Sequence, residues 1–136
     1  MSAFSITIFH NPACGTSRNT VALVRAAGYE PEVVEYLQTG WTKPQLQELL
    51  AAMGAKPRDI LRDKGTPAVE LGLHGAEASD EAILDAMVAH PILVNRPIVV
   101  TPKGVKLSRP SEAVLDLLDR KPDSFRKEDG EVIPLG

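Results

Sequence analysis

Ser5-Ile6-Thr7-Ile8-Phe9, running directly into His10-Asn11-Pro12-Ala13-Cys14-Gly15-Thr16-Ser17-Arg18, decides how this chain folds. The first five residues are rich in β-branched and aromatic side chains and read as a strand. His10 to Gly15 are turn formers, and a helix is predicted over 17–27 with Val21 and Val24 toward a core. Gly28 supplies the stop, because glycine tolerates the left-handed conformation that ends helices. Past Glu30-Pro31 comes Glu32-Val33-Val34-Glu35-Tyr36, a second strand. Strand, helix and strand at this spacing form a βαβ unit with an expected right-handed crossover.

The middle of the chain changes character. Thr42-Lys43-Pro44-Gln45 reads as a capping box, and Leu46, Leu49, Leu50 and Met53 follow at helical spacing before Gly54. Short helical pieces are predicted over 57–62 and 67–71. Ser79 caps a further helix that ends at His90-Pro91, since proline disfavours helical geometry in the residue before it. Strands return over 97–101 and 105–107, with Pro102-Lys103-Gly104 as the turn between them. Ser111 is expected to cap a last helix whose buried stripe is Val114, Leu115, Leu117 and Leu118. Trp41 is expected to pack where the middle block begins. The polar stretch over 121–136 is expected to be a loosely held tail. The order βαβ, helical block, ββα is that of an α/β thioredoxin-like domain. It has a mixed four-stranded sheet and a helical insert at about 41–91, and the single domain spans 1–136.

A chain of 136 residues is long enough for one domain with a real core. Its 43% hydrophobic and 24% charged residues are ordinary for a soluble globular protein. A formal net charge of −3 gives no sign of nucleic-acid or anionic-membrane binding. The first residues lack a basic start followed by an apolar run, so no signal peptide is expected, and the sequence shows no stretch long enough to span a bilayer and no repeat. One cysteine cannot form an internal disulfide, so a reducing compartment, the cytoplasm, is the natural setting.

That cysteine carries the chemistry. A lone cysteine is most often a small buried hydrophobe, but Cys14 stands in a Pro/Gly/Ser/Thr loop just before a helix. Backbone N–H groups and the helix dipole there stabilise negative charge. Such surroundings lower a thiol from about 8.5 into a range of roughly 3.5–7.5, giving thiolate at neutral pH. Gly15 allows close backbone approach, and Thr16 and Ser17 add hydroxyl donors, so the same loop can hold an oxyanion. Asn11 and His10 are candidate supports; for His10, tuning of the thiol and plain hydrogen bonding both stay open. Ser17 stands where a Cys-x-x-Cys dithiol would have its second cysteine, so no self-contained dithiol cycle is available. A Cys-x5-Arg phosphatase-type loop is also excluded, because position 20 is threonine. One cysteine and three scattered histidines do not suggest a metal site; His74 and His90 read as surface or helix-end residues.

Arg62, Arg96 and Arg109 each lie at the edge of a predicted element, where a side chain can turn into a cleft. Guanidinium groups grip tetrahedral oxyanions with paired donors and keep their charge. Spacing alone leaves open whether the three converge or remain surface arginines. Thioredoxin-like folds place a cis-proline before a strand beside the reactive cysteine, so a cis Arg96-Pro97 bond is predicted.

Together these stretches resemble the glutaredoxin-coupled arsenate reductase family. The resemblance runs from Ile6 through the last helix. It is carried by 8–20 around the cysteine, by His90-Pro91-Ile92-Leu93-Val94-Asn95-Arg96-Pro97-Ile98-Val99-Val100-Thr101-Pro102 and by Arg109-Pro110-Ser111-Glu112. Lys127-Glu128-Asp129-Gly130 fits as well. The resemblance implies that Cys14 is the catalytic thiolate and that Arg62, Arg96 and Arg109 match the family's anion-binding arginines. It implies arsenate as substrate, glutathione as co-substrate, glutaredoxin as protein partner, and no bound cofactor. Ser108 stands where some members carry a further, non-essential cysteine. Two alternatives stay open: a related glutathione-linked thiol oxidoreductase, and a non-enzymatic regulator of the same fold. Regulators of that kind typically carry the Cys-x-x-Cys pair that is missing here.

Overall fold

A computed structural model describes residues 4–62, 65–73, 75, 78–122, 124–127 and 129–134; His74 and Glu128 lie outside the described residues. The chain divides into two compact units, 1–35 with 96–136, and 36–95.

In the first unit, strands β1 (Thr7–His10), β2 (Glu32–Glu35), β3 (Ile98–Thr101) and β4 (Gly104–Leu107) form a mixed sheet in the order β2-β1-β3-β4. β1 runs parallel to β2 with Ile8 opposite Val33, and antiparallel to β3 with Ile8 opposite Val99. Only the parallel pair needs a long crossover, and helix α1 (Gly15–Ala26) supplies it. The central strands carry the most buried residues, Ile8, Ile98 and Val99. The core of this unit joins Ile6, Ile8 and Val99 from the sheet side to Leu23 and Val24 of α1 and to Val114, Leu117 and Leu118.

The last helix differs from the expected one. Residues Ser111–Leu117 form a 3-10 helix, Pro110 takes the cap position, and Ser111 is its first residue rather than its cap. Three residues per turn puts Ser111, Val114 and Leu117 on one line, and those are its buried positions. The tail also differs from expectation. Strands β5 (Ser124–Arg126) and β6 (Val132–Pro134) pair as a hairpin, with Phe125 opposite Ile133. Phe125 is buried in the same core as Val114. One large aromatic side chain anchors a stretch whose remaining composition is polar, and a composition average conceals such an anchor.

The second unit contains helices α2 (Tyr36–Thr39), α3 (Lys43–Met53) and α4 (Asp80–Ala89), with 3-10 turns at Pro57–Ile60 and Pro91–Leu93. The predicted second strand stops one residue early, because Tyr36 opens α2. Its side chain is buried, its hydroxyl donates to Val94 O at 2.9 Å, and its ring lies 5.1 Å from that of buried Trp41. The piece expected over 67–71 is a series of turns. α3 starts with the predicted capping box: Gln45 N–H donates to Thr42 Oγ1 at 3.2 Å, and Thr42 N–H to Gln45 Oε1 at 3.4 Å. Thr42→Ala removes one of those acceptors and is expected to cost about 1 kcal/mol, read as a lower denaturant midpoint with an unchanged slope. Gly54 ends α3 at φ +68°, where a side chain would be strained. Among the described residues no helix is long and apolar enough to cross a membrane.

Candidate functional site

Cys14, Arg96 and Arg109 belong to the first unit and Arg62 to the second. α1 begins two residues before the predicted start, so Cys14 itself occupies the N-cap position with extended backbone (φ −101°, ψ 122°). The sequence offers no serine or aspartate cap there, which is why pattern reading placed the start later. No acidic residue sits in the first turn. The positive end of the helix is therefore left to whatever negative charge arises at Cys14 and its surroundings.

The loop is held by its own polar atoms. Asn11, itself buried, accepts the Ala13 N–H at 2.9 Å through Oδ1 and the Cys14 N–H at 3.0 Å through its carbonyl. Arg18 Nη1 donates to Pro12 O at 2.7 Å. Ser17 is completely buried; its Oγ accepts the Asn11 N–H at 3.1 Å and lies 2.6 Å from His10 Nδ1. The Ser17 hydroxyl is thus spent on the loop and on His10, which corrects its expected use as a ligand donor. What Ser17 turns toward the thiol is its backbone N–H. Gly15 and Thr16 are half-buried at the helix start, with the Thr16 carbonyl taking the Thr20 hydroxyl at 2.8 Å.

Cys14 is 6% exposed, and burial alone would push its thiol pKa up. The Ser17 N–H, the charge of Arg96, and the hydrogen bond and charge of Arg109 outweigh burial and hold it below the ordinary value. The thiolate is favoured by a backbone donor and two guanidinium groups. Arg109 Nη1 lies 3.7 Å from Cys14 Sγ and also donates to Arg96 O at 3.0 Å, so one guanidinium ties the thiol to the start of β3. The Arg96-Pro97 bond is cis, as predicted, and Arg109-Pro110 is cis as well, which was not anticipated. Ser108 N–H donates to Pro97 O at 2.9 Å, extending the β3–β4 ladder by one bond and fixing Arg109 just beyond it.

His10 is lowered in pKa chiefly by burial, with Arg18 and Arg25 acting in the same direction and Glu35 opposing. Its neutral imidazole supports Ser17. In the second unit, the Arg62 N–H donates to Leu93 O at 2.8 Å and its carbonyl takes the Thr66 hydroxyl at 2.7 Å. His90 is an exposed residue after α4. Among the described residues no group of three or more histidine, cysteine or carboxylate side chains could hold a metal.

The sheet order and the thiol at the start of α1 define a thioredoxin-like α/β protein with a single-cysteine site. Residues 9–117 match the model of the ArsC family, and the chain belongs to that family. It is 60% identical over 134 residues to an arsenate reductase of Synechocystis sp., covering 98% of this chain and 93% of that protein. It is 51% identical to the arsenate reductase of Escherichia coli, covering 95% and 92% respectively. The solved arsenate reductase of Vibrio cholerae superposes with a TM-score of 0.81 at 39% identity, over 86% of this chain and all of that one.

Proposed function

We propose that this protein is a cytoplasmic arsenate reductase that works through the Cys14 thiolate, with glutathione and glutaredoxin as external reductants. The observation that carries the reading is the Arg109 guanidinium 3.7 Å from Cys14 Sγ, at a helix start with no acidic residue in its first turn. A nucleophile and an oxyanion donor share one place, as attack on an anionic substrate requires. The identity to arsenate reductases over nearly the whole chain supports arsenate as that anion.

In this reading Arg96 and Arg109, with the N–H groups of Gly15 and Thr16, hold arsenate against the thiol, and Arg62 keeps the anion-binding role that the family resemblance gives it. Cys14 sulfur bonds to arsenic, and an arsenic oxygen leaves as water after taking protons. Reduction of As(V) to As(III) then needs two electrons. They come from sulfur: two thiols become one disulfide while arsenic leaves as arsenite. The chain has one cysteine, so the second sulfur must be external. Glutathione supplies it, and glutaredoxin regenerates the free Cys14 thiol. No metal or bound organic cofactor takes part in the scheme.

The test is arsenite formation from arsenate by purified protein, with glutathione alone, with glutaredoxin alone, and with both. Turnover with both and little with either alone is expected. Absence of arsenite in the complete mixture would overturn arsenate as the substrate.

A further inference from the structure

Two sequence stretches stand apart from the thiol loop: Arg109-Pro110-Ser111-Glu112 and Lys127-Glu128-Asp129-Gly130. The fold joins them. Lys127 follows β5, and Gly130, at φ +94°, lets the chain turn back so that Gly130 N–H donates to Lys127 O at 3.0 Å and Lys127 N–H to Glu131 O at 2.8 Å. Residues two apart on an extended segment share a face, so Lys127 points the same way as buried Phe125. Its ammonium lies 3.0 Å from Glu112 Oε1 and 3.6 Å from Glu131 Oε1. The Glu112 pair is largely shielded from water, with side chains 14% and 28% exposed. The Glu131 carboxylate is 58% exposed and contributes less.

Glu112 sits in the first turn of the 3-10 helix, three residues after Arg109. Its carboxylate also accepts the Ser111 hydroxyl at 3.3 Å, and Ala113 N–H closes the turn on Pro110 O at 2.9 Å. We propose that Lys127 and Glu112 are positioning residues for the reaction at Cys14. The terminal hairpin, anchored by Phe125, clamps the Arg109–Glu112 turn and so fixes the Arg109 guanidinium at the thiol. Both groups are held in their charged forms. Contact with Glu112 raises the Lys127 pKa. Burial opposes ionisation of Glu112, but its own backbone N–H, Lys127 and Ser111 together keep it below the usual carboxylate range. Removing Lys127 leaves the Glu112 carboxylate partly buried without its counter-ion, and removing Glu112 leaves Lys127 with only the exposed Glu131, so in either variant the turn loses the tie that holds it.

This inference rests on Cys14 being the reacting thiol, and its test does not need arsenate. Because Cys14 is the one cysteine, thiolate absorbance as a function of pH reports the groups at Sγ, Arg109 among them. In Lys127→Met and Glu112→Gln the Cys14 pKa is expected to rise. The arsenate KM should rise roughly threefold to tenfold while kcat stays within about twofold, and Lys127→Arg should restore both. A lower unfolding midpoint with unchanged Cys14 pKa and unchanged KM would overturn the proposal and leave the hairpin a structural staple. If Lys127→Met does not fold, Glu112→Gln decides, since it keeps an oxygen for the Ser111 hydroxyl. If the wild-type protein makes no arsenite, the thiolate titration still separates failure of this inference from failure of the arsenate assignment.

Discussion

Cys14→Ser is expected to lower arsenate turnover by at least about 10⁴-fold while leaving the fold as stable as before or more so. The two halves of that result have different causes. A serine hydroxyl at neutral pH is protonated and a poor nucleophile. The Ser17 N–H and the two arginines that lower the thiol pKa fall far short of ionising an alcohol. Position 14 is nonetheless the N-cap of α1, where serine is among the preferred residues and its oxygen can accept an N–H of the first turn. The usual objection to a dead variant, that it is merely unfolded, is therefore met in advance. Arsenite formation and a denaturant melt on the same sample check both halves. Turnover within tenfold of wild type would remove Cys14 from the mechanism.

The thiol loop was legible because its parts are local. A β-branched strand, a turn-forming loop and an amphipathic helix declare themselves within thirty or so residues, and Gly28 marks the stop. The capping box at Thr42 and Gln45 was legible for the same reason. Three features were not. α1 begins at Gly15 because a cysteine fills the cap position, and cysteine is not a capping signal. The Ser111–Leu117 segment carries apolar residues at both i+3 and i+4 spacings, so its sequence does not distinguish a 3-10 from an α-helix; packing selects the tighter form. The terminal hairpin depends on Phe125 joining the core that holds Val114 and on Lys127 reaching Glu112, which are tertiary contacts that local patterning does not show. Within the site, the sequence named Arg96 and Arg109 by their places at strand edges. It did not reveal that Arg109 bridges the thiol and Arg96 O, or that the Ser17 hydroxyl is turned to His10 and Asn11.

Arg109→Ala is expected to lower kcat/KM for arsenate by about 10²–10³-fold, the usual loss when one donor to a developing oxyanion is removed. It should also change the pH profile, and the sign follows from the thiol. Arg109 favours the thiolate both as a hydrogen-bond donor to Sγ and as a nearby positive charge. Without it, burial is opposed only by the Ser17 N–H and Arg96, so the Cys14 pKa rises. Activity requires thiolate, which is depleted below that pKa; at about one pH unit below it, roughly a tenth of the protein is competent. The rising acid limb of the kcat/KM profile should therefore move to higher pH in Arg109→Ala, and alkaline buffer should recover part of the loss. The unrecovered part measures the guanidinium's contact with arsenate itself. Arg109→Lys keeps a positive charge but not the planar guanidinium, which can offer paired donors to an oxyanion while its Nη1 contacts both Sγ and Arg96 O. It should restore much of the pKa and little of the arsenate affinity. Unchanged thiolate titration together with unchanged KM in Arg109→Ala would show that the 3.7 Å contact with Cys14 serves neither ionisation nor substrate binding.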